Sequence, residues 1–244
     1  MAELSLLIDQ GNTRLKWVYA SEGQIDEDSL GVGSIDDFKQ AFRQGRAIEP
    51  DSVLLSSVAE SGHATQISEF CKRHWVLNTQ LMKSTKSLGG VCNAYHDPAL
   101  LGVDRWLAIV GAAAQYGKPV VIWDIGTATT LDAVDETGQH LGGFILPGPE
   151  TIFGALSKDT NLNVPDSWAP MGLAPGGSTE KCIRNGVFAT QVGALNQFLR
   201  SVSPGIGSDS TLVVTGGGAG ELLSSLDFAY IHDPWLVFRG MLVK

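Results

Sequence analysis

Cysteine is scarce: three residues, Cys71, Cys92 and Cys182, are spread over 244 positions with no Cys-x-x-Cys pair. This excludes a disulfide framework and the usual zinc spacings, and suits a reducing compartment. Long apolar runs are absent, and none approaches the roughly 20 residues that span a bilayer. Positive charge is also short. Seventeen Lys and Arg against 26 Asp and Glu leave a net charge of -9 and a pI near 4.9. The basic footprint needed for broad binding to nucleic acid or anionic membrane is therefore missing. A polyphosphate ligand is still compatible, because backbone N–H groups, a few local cations and Mg²⁺ can hold phosphates in an acidic protein. Neither the P-loop pattern G-x-x-x-x-G-K-[ST] nor an intact G-x-G-x-x-G occurs. Met1-Ala2-Glu3 offers no basic leader and runs straight into a strand pattern, so the expectation is a soluble, cytoplasmic chain.

What the sequence does contain is a repeat. Residues 120–148, VVIWDIGTATTLDAVDETGQHLGGFILPG, read as a strand, a tight turn, a second strand, a turn at Glu136-Thr137-Gly138 and a third strand. The first half echoes the N-terminus, where Leu6-Leu7-Ile8 runs into Asp9-Gln10-Gly11-Asn12-Thr13. Two strand–Asp-x-Gly–strand hairpins, at Asp9 and Asp124, predict two related domains facing one cleft. Hydrophobic content of 43% is enough to build their cores.

Along the chain, continuous apolar character predicts a central strand over 4–9, followed by strands over 14–20 and 24–30. Ser34 is placed to cap a helix. A strand over 51–57, a helix over 60–74 and a strand over 75–77 follow, which implies a mixed sheet with helices packed on it. Residues 79–97 read as an irregular loop of functional length. A helix over 98–116 ends at Gly117-Lys118-Pro119, and the domain boundary is set there, dividing 1–117 from 118–244. Beyond the second hairpin come a short helix over 150–156, a loop over 158–177 and a long amphipathic helix over 178–202. A strand over 211–215 then runs through glycines into a helix reaching Leu226. The last elements, over 228–231 and 236–242, are weakly marked.

Four motifs carry polar chemistry. In Asp9-Gln10-Gly11-Asn12-Thr13-Arg14-Leu15-Lys16, Gly allows a turn with positive φ and lets a phosphate near the backbone. Asp9, at a strand end, can hold Mg²⁺ directly or through water. An ordinary hairpin with a Gly-Asn turn explains this motif equally well. Asp124-Ile125-Gly126-Thr127-Ala128-Thr129-Thr130 sets a carboxylate and three hydroxyls after an apolar strand, which suits a cation together with phosphate oxygens; a strand end satisfied by its own hydroxyls is the alternative. Val214-Thr215-Gly216-Gly217-Gly218 resembles many glycine-rich strand–helix turns, although such a turn can contact a nucleotide. Gly102-Val103-Asp104-Arg105 places adjacent charges in an apolar helix, either as a structural ion pair or as a general base beside an anion clamp.

Taken in order, DQGNTRLK at 9–16, Tyr95 seven residues before GVDR at 102–105, DIGTATTLD at 124–132, LGGFILPG at 141–148, Thr179 seven residues before Gly186 and VTGGG at 214–218 resemble the type III pantothenate kinases, also called the Bvg accessory factor family. The resemblance spans nearly the whole chain. It implies an α/β actin-like ATPase fold, shared with the sugar kinase superfamily: two ribonuclease H-like domains, with mixed sheets flanked by helices and ATP in the cleft between them. It implies transfer of phosphate from ATP to pantothenate, the first step of coenzyme A biosynthesis. ATP phosphates fall to Asp9, Gln10, Gly11, Asn12, Thr13, Arg14, Leu15, Lys16 and Thr127. Asp124 matches the ligand of a monovalent cation, K⁺ or NH₄⁺. Tyr95, Gly102, Val103, Asp104, Arg105 and Thr179 match the pantothenate contacts, and Asp104 the proton acceptor. Gln10 stands where the family is often apolar, and Gly218 extends the usual glycine pair. A homodimer is also implied; residues 107–114 and 178–202 offer apolar surface for it, although intradomain core explains both as well. The competing readings are a nucleotide-binding regulator without kinase activity and a kinase of the same superfamily acting on another hydroxyl or carboxylate acceptor.

Overall fold

The computed structural model describes residues 3–43, 48–58, 61–160, 162, 168–207, 209–223, 226 and 228–244. The chain divides into two compact units. The first comprises Met1–Gly89, Tyr95–Gln115 and Leu236–Lys244, and the second Gly90–Ala94 and Tyr116–Trp235. A single cut after residue 117 differs from this division at three places: Gly90–Ala94 joins the second unit, so do Tyr116 and Gly117, and the C-terminal tail joins the first.

In the first unit, β1 (Leu4–Gln10), β2 (Leu15–Ser21) and β3 (Gln24–Gly33) form an antiparallel meander. Glu22 and Gly23 both have positive φ, as a two-residue hairpin turn requires. Helix α1 (Ile35–Arg43) then carries the chain back to β4 (Ser52–Ser57), which pairs parallel with β1. A helical crossover is what a parallel neighbour needs. Ser34 caps α1 as its sequence position predicts: its Oγ accepts from Asp37 N, and Asp37 Oδ2 accepts from Ser34 N in return. Helix α2 (Ser61–Trp75) leads to β5 (Thr79–Leu81), giving the sheet order β3-β2-β1-β4-β5. The expected helix start at Glu60 lies outside the described residues.

The expected strand over 75–77 is not formed. Trp75 belongs to α2, and Val76, with φ 59°, ends the helix before the strand begins at Thr79. The aromatic ring explains the extension, because Trp75 packs edge-on against Phe42 at 5.0 Å in the core. The expected loop over 79–97 holds short strands at its start and middle, β5, β6 (Ser87–Leu88) and β7 (Val91–Cys92). The expected single helix over 98–116 is two elements: a 3₁₀ turn at Pro98–Leu100, capped by Asp97, and α3 (Val103–Tyr116).

The second unit repeats the plan. Strands β8 (Val120–Ile125), β9 (Ala128–Val134) and β10 (His140–Pro147) form the meander. After α4 (Pro149–Asp159) and α5 (Thr179–Ile206), β11 (Thr211–Thr215) pairs parallel with β8. Then come α6 (Ala219–Leu223) and β12 (Ile231–His232), and the sheet order is β10-β9-β8-β11-β12; the last helix, α7 (Leu236–Met241), belongs to the first unit. The order and strand directions match those of the first sheet, so the repeat seen in the hairpins extends to the whole sheet. Residues 161 and 163–167 of the predicted loop over 158–177, and part of the stretch after α6, lie outside the described residues.

Each unit has its own core. The first gathers Leu6, Ile8, Trp17, Phe38, Phe42 and Ile67. The second gathers Trp123, Leu131, Phe188, Leu195 and Phe198 against the long α5. Residues Arg105–Ala113 of α3 are all buried within the single chain, so most of the 107–114 segment is intradomain core, while Ala114 is exposed. Among the described residues no helix is long and apolar enough to cross a membrane.

Candidate active site

Strand alternation decides which polar residues meet. In β1, Leu6, Ile8 and Gln10 share one face, and Leu7 and Asp9 the other. Cross-strand register puts Lys16 of β2 on one side of Asp9 and Ser56 of β4 on the other. A polar row Lys16–Asp9–Ser56 therefore crosses the end of the sheet on one face. Asp9 feels it. Burial pushes its carboxyl up to about 6, the charge of Asp104 adds to the rise, and Ser56 and Lys16 oppose it. The Ser56 hydroxyl is close enough to favour the carboxylate but lacks hydrogen-bond geometry, and both Asp9 Oδ1 and Ser56 Oγ are buried without a hydrogen-bond partner.

The turn after β1 is closed by Gly11 N donating to Arg14 O at 3.1 Å, and its counterpart by Gly126 N to Ala128 O at 3.1 Å. Neither glycine has a positive φ. The expectation that these turns need glycine for backbone handedness is thus corrected. A Cβ at either position would meet only a carbonyl at 3.4 Å, so what glycine provides there is an uncovered backbone. Asn12, Thr13 and Arg14 are exposed around it. Gln10 and Leu15, read with the phosphate-binding run, turn inward, at 5% and 1% exposure. Gln10 Nε2 donates to Gly11 O at 2.7 Å, so its side chain holds the turn.

The motif at 102–105 starts α3 instead of lying within a helix. Asp104 sits in the first turn, where the helix dipole favours a carboxylate. Its Oδ1 accepts from Arg105 N at 2.7 Å. A Cβ at Gly102 would lie 2.7 Å from that same Oδ1, so glycine there leaves the carboxylate its place. Arg105 is buried at 7% exposure and donates from Nη1 to the Tyr95 hydroxyl at 3.0 Å, with its guanidinium carbon 5.9 Å from the Tyr95 ring centre. The first unit therefore brings together Asp9, Lys16, Tyr95, Asp104 and Arg105.

The second unit holds the other motifs. Asp124 is the penultimate residue of β8, with Thr130 and Thr215 beside it in register. Gly216 has φ 95°, and a Cβ there would meet Ile125 O at 2.4 Å and Asp124 Oδ1 at 2.5 Å, so only glycine fits. Gly148 is likewise fixed, since its Cβ would sit 1.9 Å from Gly126 O. Thr127 is exposed, and its carbonyl accepts from Gly148 N at 3.0 Å and Thr151 Oγ1 at 2.6 Å. Buried Thr129 donates to Gln191 Oε1 of α5 at 2.7 Å, and Gln191 Nε2 donates to Pro147 O at 3.1 Å, pinning the hairpin to the helix. Thr179, the first residue of α5, lines a pocket of about 720 Å³ with Ile152, Leu156, Ser178 and Ile183.

Sequence reasoning missed Ser56. Its signal was available, since a Ser-Ser pair ends an otherwise apolar strand, but its partner Asp9 is identified only by sheet register. Among the described residues no cluster of three His, Cys, Asp or Glu side chains is placed to hold a metal ion.

The family model for type III pantothenate kinase matches residues 5–201, which include every one of these motifs except the last glycine run. This chain belongs to the type III pantothenate kinase family. A type III pantothenate kinase of Halorhodospira halophila is 33% identical over 98% of this chain and 96% of its own length. One from Hahella chejuensis is 34% identical over 99% and 96%. Membership makes the chain a phosphotransferase with ATP as co-substrate. Solved structures share the architecture. A Baf family transcriptional activator of Campylobacter jejuni aligns with TM-score 0.63 at 22% identity, covering 97% of this chain and 94% of that one. A 2-dehydro-3-deoxygalactonokinase protein of Sinorhizobium meliloti aligns with TM-score 0.61 at 10% identity, again over 97% and 94%. Identities this low speak for the fold alone: it is the α/β fold of actin-like ATPases and sugar kinases, with two sheets flanked by helices.

Proposed function

We propose that this type III pantothenate kinase transfers the γ-phosphoryl group of ATP to the primary hydroxyl of pantothenate, giving 4'-phosphopantothenate for coenzyme A synthesis. The observation that carries the mechanism is the gathering of Asp9, Asp104, Arg105 and Tyr95 in one unit of a chain from this family. Asp104 accepts the hydroxyl proton as the oxygen attacks the γ-phosphorus. Its first-turn position and the open space left by Gly102 keep its carboxylate accessible. Arg105, oriented by the Tyr95 hydroxyl, offsets negative charge on the substrate carboxylate or the transferring group. The turn residues 9–16 and Thr127 engage the ATP phosphates, through backbone at Gln10 and Leu15 and through side chains at the exposed positions. Thr179 lines the pocket assigned to part of pantothenate. Alignment and charge stabilisation are the main demands of phosphoryl transfer, so few groups need act chemically.

Two ions are part of the proposal. Asp9 fits Mg²⁺, because its buried Oδ1 lacks a protein partner and lies at a strand end. When bound, Mg²⁺ neutralises and aligns phosphate oxygens. Asp124 fits a monovalent cation, because the residues beside it in register, Thr130 and Thr215, offer only oxygen donors. We place the enzyme in the cytoplasm, as a homodimer, and within the sugar kinase superfamily that includes the Bvg accessory factors.

A coupled ADP-release assay with Mg²⁺·ATP, with and without pantothenate, in potassium or sodium chloride, tests the reading. Pantothenate-dependent release that rises with potassium is expected. Nucleotide binding without pantothenate-dependent release in either salt would overturn it in favour of a regulator or a different acceptor.

A further inference from the structure

Ser56 has no part in the family resemblance, yet its hydroxyl stands beside the Asp9 carboxylate. It is fully buried, at 0% exposure, at the end of β4. A buried hydroxyl normally finds a partner, and leaving one unpaired is destabilising. Here Ser56 Oγ has none, and neither has the buried Oδ1 of Asp9 beside it in the parallel register. Two orphaned polar atoms side by side on one face of a sheet end form a built polar site that the protein does not itself fill.

The repeat supplies an independent reason. The two sheets have the same strand order, so β4 corresponds to β11 and β1 to β8. The residue paired with Asp9 on β4 is Ser56, and the residue paired with Asp124 on β11 is Thr215. Both units thus set a buried hydroxyl next to the strand-end aspartate. The adjacent pair Gln10 and Ser57 also has orphaned atoms, but alternation puts it on the opposite face, outside this site.

We propose that Ser56 is a cation-positioning residue: its hydroxyl, with the Asp9 carboxylate, receives the hydrated divalent cation that accompanies ATP. The proposal rests on the assignment of Asp9 to that cation. A hydroxyl can donate to the carboxylate and accept from a metal-bound water, which an alanine or a thiol does poorly. The arrangement accepts a stability cost in the nucleotide-free protein for affinity in the loaded one.

The test is Mn²⁺ binding in the presence of adenylyl-imidodiphosphate, followed by electron paramagnetic resonance, for wild type, Ser56→Ala and the near-isosteric Ser56→Cys. Loss of a supporting partner typically costs about 10-fold in metal affinity, and that loss is expected in both variants. Their thermal midpoints without ligand should stay within a few degrees of the wild type, since the hydroxyl closes no hydrogen bond in the ligand-free protein. Half-saturating Mg²⁺ in ADP release should rise by the same factor. Mn²⁺ affinity within twofold of wild type in both variants would overturn the proposal. So would failure of both variants to fold, since the hydroxyl would then be structural. A wild type that binds Mn²⁺ through Ser56 yet releases no ADP with pantothenate would leave this proposal standing and overturn the assigned reaction instead.

Discussion

Asp9 is charged at a cost. Burial and the nearby charge of Asp104 hold its carboxyl at about 6, above its ordinary value of 3.8. Between those two values the folded protein binds more protons than the unfolded chain, so stability falls as pH rises through the window. Below about pH 3 the group is neutral in both states and this penalty disappears. Above about pH 7 the penalty is nearly complete, on the order of 1–3 kcal/mol after allowing for partial exposure. Asp9→Asn should therefore raise the thermal midpoint at pH 7 in nucleotide-free protein and flatten its dependence between pH 4 and 6.5, as calorimetry would read. A variant less stable than wild type at pH 7 would contradict this account. Asp104 carries a kinetic prediction. Asp104→Asn should lower kcat by about 10²-fold or more while nucleotide affinity by calorimetry stays within a few-fold. Retained turnover would reject it as the proton acceptor.

Local geometry within single elements is stricter than composition suggests. At the start of α3, Gly102 is required by the side chain two residues on, because an added Cβ would stand 2.7 Å from Asp104 Oδ1. The obstacle is the end of a flexible side chain, so the helix itself need not shift. Gly102→Ala should change stability by less than about 1 kcal/mol yet reduce kcat/KM about 10–100-fold, because a misplacement near 1 Å can cost two orders of magnitude. Thermal melts run beside steady-state kinetics would separate the two effects. Equal losses in both would mean that Gly102 serves the helix start and not the carboxylate. The two hairpins show the limits of motif reading at this scale. Their Asp-x-Gly signatures locate the turns correctly, but the glycines at 11 and 126 are not left-handed, while Gly216 and Gly138, which are, lie outside those turns. Backbone handedness depends on how a turn closes, and here it closes through Gly11 N to Arg14 O and Gly126 N to Ala128 O.

For the molecule as a whole, the C-terminus completes the first unit. Helix α7 buries Leu236, Phe238 and Met241, and its Gly240 lies so near α3 that a Cβ would sit 2.0 Å from Leu107 O. Gly111 of α3 reciprocates, with its own Cβ position 2.3 Å from Leu236 O. Two glycines thus allow the helix backbones to approach closely. Phe238, at 2% exposure, should cost about 3–5 kcal/mol when replaced by alanine. Urea unfolding should show that loss in the transition of the first unit, and an effect under 1 kcal/mol would mean that α7 is dispensable to that core.

The sequence by itself determined the duplicated hairpins, the acidic α/β character, the long α5 and the placement of Asp9, Asp124 and Thr127 at or beside strand ends. These are local signals: apolar runs, turn residues and polar residues at strand or helix starts. The tertiary structure alone decided that Ser56 stands beside Asp9, that Gln10 and Leu15 turn inward, that Trp75 stays helical and that α7 belongs with the first unit. Each of these depends on register between strands or packing between helices far apart in the chain, and free energy of that kind leaves no periodic trace in the residues that supply it.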